Sequence, residues 1–162
     1  MSKVFIADQP NLGSILTSRK IAERSKCQIP LILHEGGRFD WNANEFINHA
    51  AGGPNAYNIK PLATTVIKKA YNLNLFCSFL ELENKTIYDV NDSILYQFVD
   101  HLKERKLFDD TIKNHVRLAL EYIIYTSNRQ PEKLLASSDK NNTKSYKVHY
   151  SVKTIKKRHI EI

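Results

Sequence analysis

Lys113 and Arg117 stand four residues apart in DDTIKNHVRLALEYIIYT, so on a helix they share one face, with Thr111 and Asn114 beside them near its start. These side chains suit duplex DNA. Lysine and arginine reach phosphates or guanine edges, asparagine pairs with adenine, and a helix N-terminus favours a phosphate. A second set of the same make-up, Thr64, Thr65, Lys68, Lys69 and Asn72, lies in LATTVIKKAYNLNLF. A Lys/Arg/Asn face is also what any soluble helix shows to water, and residue types alone leave both readings open.

Signatures of catalysis are absent. There is no glycine loop to cradle phosphate, no metal-ligand pair at helical or turn spacing, and no nucleophile elbow. The six histidines, His34, His49, His101, His115, His149 and His159, are scattered through all segments. Asp109-Asp110 and Glu81/Glu83 are explained by helix-end electrostatics rather than as acid and base. Cys27 and Cys77 are fifty residues apart, which makes neither a disulfide framework nor a metal site, and Cys77 falls within an apolar helical face. No enzyme, cofactor, metal or small-molecule substrate is expected from these residues.

The elements that must carry the two basic sets come from hydrophobic periodicity over residues 62–127. A first long helix is expected from Pro61–Thr65 to about Glu83, with proline and threonine as start signals. Its stripe is Val66, Ala70, Leu73, Cys77 and Leu80, widened by Ile67, Phe76 and Phe79. Asn84-Lys85 opens a turn, and TIYDV reads as an extended link. Asn91 caps a second helix with Asp92 against its dipole, and Ile94, Leu95, Phe98, Val99 and Leu102 form its buried side. Asp109 is expected to cap a third helix with stripe Ile112, Val116, Ala119, Leu120 and Ile123, ending at Ser127-Asn128 before Pro131.

Upstream, residues 1–28 read as a solvated leader that contains a short β-like run, KVFIA. Residues 29–56 read as a β-hairpin, IPLIL and RFDW joined through Gly36-Gly37, followed by a short helix near 43–50 capped by Asn42 or Asn44. Phe39 and Trp41 are expected to dock this hairpin on the main body. The segment AGGPNAYNIKP is a break before the helical domain, residues 57–130. Residues 131–162 read as a basic linker, polar and without helical period. The expected fold is mainly α, a compact four-helix bundle preceded by a small β-hairpin.

Net charge is +7 with a pI near 9.4, which points toward polyanionic partners. Residues 1–56 hold six Lys/Arg against five Asp/Glu, residues 57–130 ten against nine, and residues 131–162 eight against three. The excess therefore sits in the tail, and the charge of the helical domain must be judged by where single residues fall. No signal peptide or membrane-length apolar run is present, so an intracellular, cytoplasmic setting without membrane contact is expected.

The order of parts resembles the core-binding, SAM-like domain of tyrosine recombinases, the phage integrase family. The residues that carry the resemblance are Thr65; Phe76, Phe79 and Leu80; Ile87, Asp89 and Val90; Leu95, Phe98 and Leu102; and Thr111, Ile112, Val116, Leu118, Ala119, Tyr122 and Tyr125. They span about residues 43–130. Two departures occur: Lys69 replaces an aromatic common four residues after the first threonine, with Tyr71 two positions on, and the arginines usual just beyond are missing. The resemblance implies one half of a clamp on duplex DNA at a recombination site, beside other recombinase protomers. It implies Thr64, Thr65, Lys68, Lys69 and Asn72, then Thr111, Lys113, Asn114 and Arg117, as the DNA-facing residues. Catalysis would lie in a later domain, and the tail would be the linker toward it. The competing expectation is a helical protein-interaction module or standalone regulator, using the apolar face of the first long helix with Tyr122 and Tyr125.

Overall fold

The computed structural model describes residues 1–8, 28–50, 63–137, 139 and 144–150. The chain divides into two compact units, Met1–Asn74 and Leu75–Ile162. It is mainly helical, with a small antiparallel sheet near the N-terminus. The elements are β1 (Lys3–Asp8), β2 (Gln28–Leu33), α1 (Trp41–Ala50), α2 (Ala63–Leu82), α3 (Asp92–Glu104) and α4 (Asp109–Arg129), with short 3-10 turns at Glu35–Gly37, Ile87–Asp89 and Pro131–Lys133. No helix among the described residues is long and apolar enough to cross a membrane.

In the first unit the expected hairpin is replaced by a different pairing. The run KVFIAD is β1, and it pairs antiparallel with β2 along its whole length, from Lys3↔Leu33 to Asp8↔Gln28. RFDW supplies only an isolated bridge, Leu33↔Phe39. The reason is local: Gly36 and Gly37 take φ of 79° and 80° in a 3-10 turn, and the chain then enters α1 before a strand can form. The rest of the expected leader, residues 9–27, and the break at 51–62 lie outside the described residues.

Helix α1 begins at Trp41, two residues before the expected start, because Asp40 is its cap: Ala43 N donates to Asp40 Oδ1 at 2.9 Å. Asn42 and Asn44 are therefore not caps. Asn44 is buried and instead closes the outer edge of β2. Its Oδ1 accepts from Ile32 N at 2.7 Å, and its Nδ2 donates to Ile32 O at 2.8 Å and to Asp40 O at 2.7 Å. Ile32, Ala43, Phe46 and Ile47 are the buried apolar residues around this clasp. Trp41, expected to help dock the hairpin, is 77% exposed and meets the half-buried Phe39 edge-on at 4.7 Å.

In the second unit the core gathers on three aromatics. Phe98 of α3 is fully buried and meets Phe76 at 4.9 Å and Phe79 at 5.3 Å, both from α2. Leu95, Leu102, Ile112, Val116, Ala119 and Ile123 are buried as read from the sequence, whereas Leu120 of the expected α4 stripe is half-buried and Leu118 is buried in addition; α3 packs on α4. Cys77 is buried, as expected of a small hydrophobe. Asn84 ends α2 in the left-handed conformation (φ 51°), so the turn falls where expected.

Three local expectations need correction. TIYDV is not an extended link. It forms a 3-10 turn whose start is a capping box, with Thr86 N and Oγ1 donating to Asp89 Oδ2 at 2.8 and 2.7 Å. Asn91 caps α3 as expected, accepting from Ile94 N at 3.0 Å. Asp109 does not cap α4: Phe108 occupies the cap position without a side-chain bond, and Asp109 and Asp110 fall in the first turn. Helix α4 runs to Arg129, slightly beyond the expected stop.

The largest correction concerns residues 131–150, expected to be a linker. Leu135, Ala136, Val148 and Tyr150 are buried. Lys147 N and Val148 N donate to Leu134 O and Leu135 O, each at 2.9 Å, and Ala136 N donates to Ser127 Oγ at 3.2 Å. Residues 144–150 then lie against the start of α3, where Asp92 Oδ1 accepts from His149 N and Tyr150 N, both at 2.8 Å. Tyr150 meets Tyr96 edge-on at 4.9 Å, and Lys147 Nζ reaches Tyr88 O at 2.8 Å. This segment is a strap belonging to the second unit. Residues 151–162 lie outside the described residues.

Candidate nucleic-acid interface

Helix α2 carries the first basic set. At 100° per residue, Thr65, Lys68, Lys69 and Asn72 fall within one sector, and at 1.5 Å per residue they extend over about 10 Å. Thr65 and Lys68 are exposed, Lys69 and Asn72 half-buried, and the opposite side of the helix holds buried Ala70 and Leu73. Thr64 belongs to the same helix, but its side chain lies outside the description. No acidic residue occupies the first turn of α2. The positive end of the helix dipole and both lysines therefore point one way electrostatically, toward an anion.

Tyr71 was not among the sequence candidates, yet it is 54% exposed and stands three residues from Lys68. An aromatic ring beside a lysine adds a surface that can pack on a sugar or a base. The signal was present in the helical spacing, since Tyr71 falls off the Ala70–Leu73–Cys77 stripe.

Helix α4 carries the second set less favourably. Asn114 and Arg117 are exposed, whereas Thr111 and Lys113 are half-buried. Thr111 and Lys113 are about 160° apart around the axis, so the four residues spread over nearly half of its circumference rather than one narrow face. Lys113 Nζ bonds Asp110 Oδ1 at 2.9 Å, an exposed i,i+3 pair that offsets its charge. Asp109 and Asp110 also complement the dipole at this helix end. The expected phosphate at the start of α4 would meet two carboxylates, so that part of the expectation does not fit. The two sets belong to different units.

The surface required by the interaction-module reading is largely internal. Tyr122 is buried and Tyr125 half-buried, and Leu73, Phe76, Cys77, Phe79 and Leu80 of α2 are buried.

Elsewhere, titratable groups are engaged in structure. Asp89 is held below the usual carboxylate range, first by the Thr86 backbone N–H, then by the Thr86 hydroxyl, with Lys85 and Lys147 adding to this. His34 Nε2 is 3.4 Å from Asp40 Oδ2, and the His101 ring lies 5.5 Å from that of Phe79. Among the described residues no cluster of three or more His, Cys, Asp or Glu is placed to hold a metal ion.

Comparison with protein-family models, with curated proteins and with solved structures finds no match.

Proposed function

We propose that this chain binds duplex DNA as a helical core-binding, SAM-like module of a site-specific tyrosine recombinase, with the catalytic residues in a domain outside it. The observation that carries the DNA part is the α2 face: Thr65 and Lys68 exposed, Lys69 and Asn72 flanking them, and no carboxylate in the first turn. The recombinase part is supported by the order of helices, which matches the resemblance set out from the sequence. In this reading the module grips DNA and positions it, and other protomers occupy neighbouring sites on the same duplex.

The test is binding of a fluorescent mixed-sequence duplex, followed by anisotropy across a salt series. Each phosphate contact contributes a slope of about 0.9 in log K against log[salt]. Lys68→Ala/Lys69→Ala lowers the slope by about 1.8. Lys113→Ala/Arg117→Ala lowers it by only about 0.9, because Lys113 is already engaged by Asp110. An unchanged slope in Lys68→Ala/Lys69→Ala refutes the α2 face as the DNA surface.

A further inference from the structure

The two edges of the small sheet are finished differently. Ile32 turns its N–H and C=O outward, to Asn44 and Asp40, so it faces Val4 as a pair without mutual hydrogen bonds. Alternation then directs the backbone groups of Lys3 and Phe5 toward β2 and those of Val4 and Ile6 away from it. The outer edge of β2 is closed: Asn44 and Asp40 occupy Ile32, His34 N donates to Arg38 O at 2.7 Å, and Pro30 has no N–H to offer. The outer edge of β1 has no such closure. Val4 and Ile6 have no partner on that side among the described residues, up to Ser2, whose carbonyl takes the Asn74 side-chain amide at 3.3 Å.

The edge carries an exposed charge, Lys3, only at its start and has no other protection toward its centre. It has no proline or bulge, and Phe5 stands 57% exposed at its centre. A two-fold axis through Phe5 makes this stretch complementary to itself. Val4 then faces Ile6 of the second strand in hydrogen-bonded pairs, four bonds in all. Phe5 faces its own counterpart as a pair without mutual bonds, where side chains come closest.

We propose that β1 is a strand-addition site for a second copy of this chain, giving a four-stranded antiparallel sheet across a two-fold axis. Because the far edge of β2 is closed by Asn44 and Pro30, the assembly stops at two copies rather than growing into a fibre. Two six-residue strands bury less than the roughly 1,000 Å² of a stable interface, so the dimer is weak in free solution and forms where copies are concentrated. The inference rests on the sheet alone and stands apart from the DNA reading.

Disulfide trapping tests it on the full chain in a Cys27→Ser background. Phe5→Cys places two thiols across the axis at about 4.5 Å between Cα atoms, within disulfide range, whereas Lys3→Cys faces Ala7 of the other copy. Phe5→Cys is expected to form a covalent dimer on the order of tenfold faster than Lys3→Cys. Val4→Pro removes an outward N–H without touching the β1–β2 ladder, and Phe5→Lys opposes two charges. Each is expected to abolish the concentration-dependent dimer seen by sedimentation of the unmodified chain at millimolar concentration, with the Phe5→Lys variant keeping its helical circular dichroism. Equal trapping of Phe5→Cys and Lys3→Cys, or a dimer that survives both variants, overturns the proposal. Slow amide exchange of Val4 and Ile6 in the dilute monomer also overturns it, since residues 9–27 of the same chain would then hold the edge.

Discussion

Replacing Asp92 tests whether residues 144–150 belong to the folded unit. One carboxylate oxygen accepts from both His149 N and Tyr150 N at 2.8 Å, and the other lies 3.4 Å from His149 Nδ1. Asp92 is also the first residue of α3, where a negative charge favours the helix dipole by about 0.5 kcal/mol. A hydrogen bond to a charged acceptor is worth about 1.5–3 kcal/mol when shielded. Here the Asp92 side chain is 36% exposed and that of His149 69% exposed, so water replaces part of each bond. Asp92→Ala should therefore cost about 2–3 kcal/mol in total, and Asp92→Asn, which keeps an acceptor, about 1 kcal/mol. At about 2–4 °C per kcal/mol for a chain of this size, the alanine variant should melt about 5–10 °C lower. Urea unfolding and thermal melts give the totals, and amide exchange locates the effect, since His149 and Tyr150 should lose protection before the α3 interior does. A loss below about 0.5 kcal/mol, or unchanged exchange at both amides, refutes the strap.

Three further outcomes follow from single contacts. Asn44→Leu leaves the Ile32 N–H buried without its acceptor and should lower unfolding free energy by about 3 kcal/mol, read as a shifted urea midpoint at constant slope. Phe98→Ala removes the ring on which Phe76 and Phe79 converge and should cost about 3–5 kcal/mol by the same assay. Asp89 has a folded pKa below its ordinary value, so the unfolded chain takes up the proton first. Its contribution is present above the unfolded pKa and is lost as pH falls through the folded one. Asp89→Asn should flatten the stability curve in that acid range, and an unchanged acid limb would contradict the Thr86 contacts as the cause.

What the sequence determined by itself was whatever depends on near neighbours. The stripes of α3 and α4, the Asn91 cap and the left-handed Asn84 turn each follow from residues three or four apart, where helical geometry leaves few alternatives. The outward Lys68 and Thr65 were legible for the same reason, as positions opposite Ala70 and Leu73. Only the tertiary structure decided which partners come from far along the chain. KVFIAD could have paired with any β-prone run, and its true partner lies beyond residues 9–27, so the Gly36-Gly37 turn suggested a nearer and incorrect one. Asn44 has the composition of a cap, yet its amide is consumed by Ile32, a residue twelve positions away. The text of 144–150 has no helical period, and the alternation that buries Val148 and Tyr150 could not by itself name a partner, because its backbone is satisfied by Asp92 and Leu134 rather than by its own neighbours. In the same way, Lys113 and Lys68 are alike as residue types. The structure separates them: one is paired with Asp110 and half-buried, the other exposed on a helix start that carries no acid.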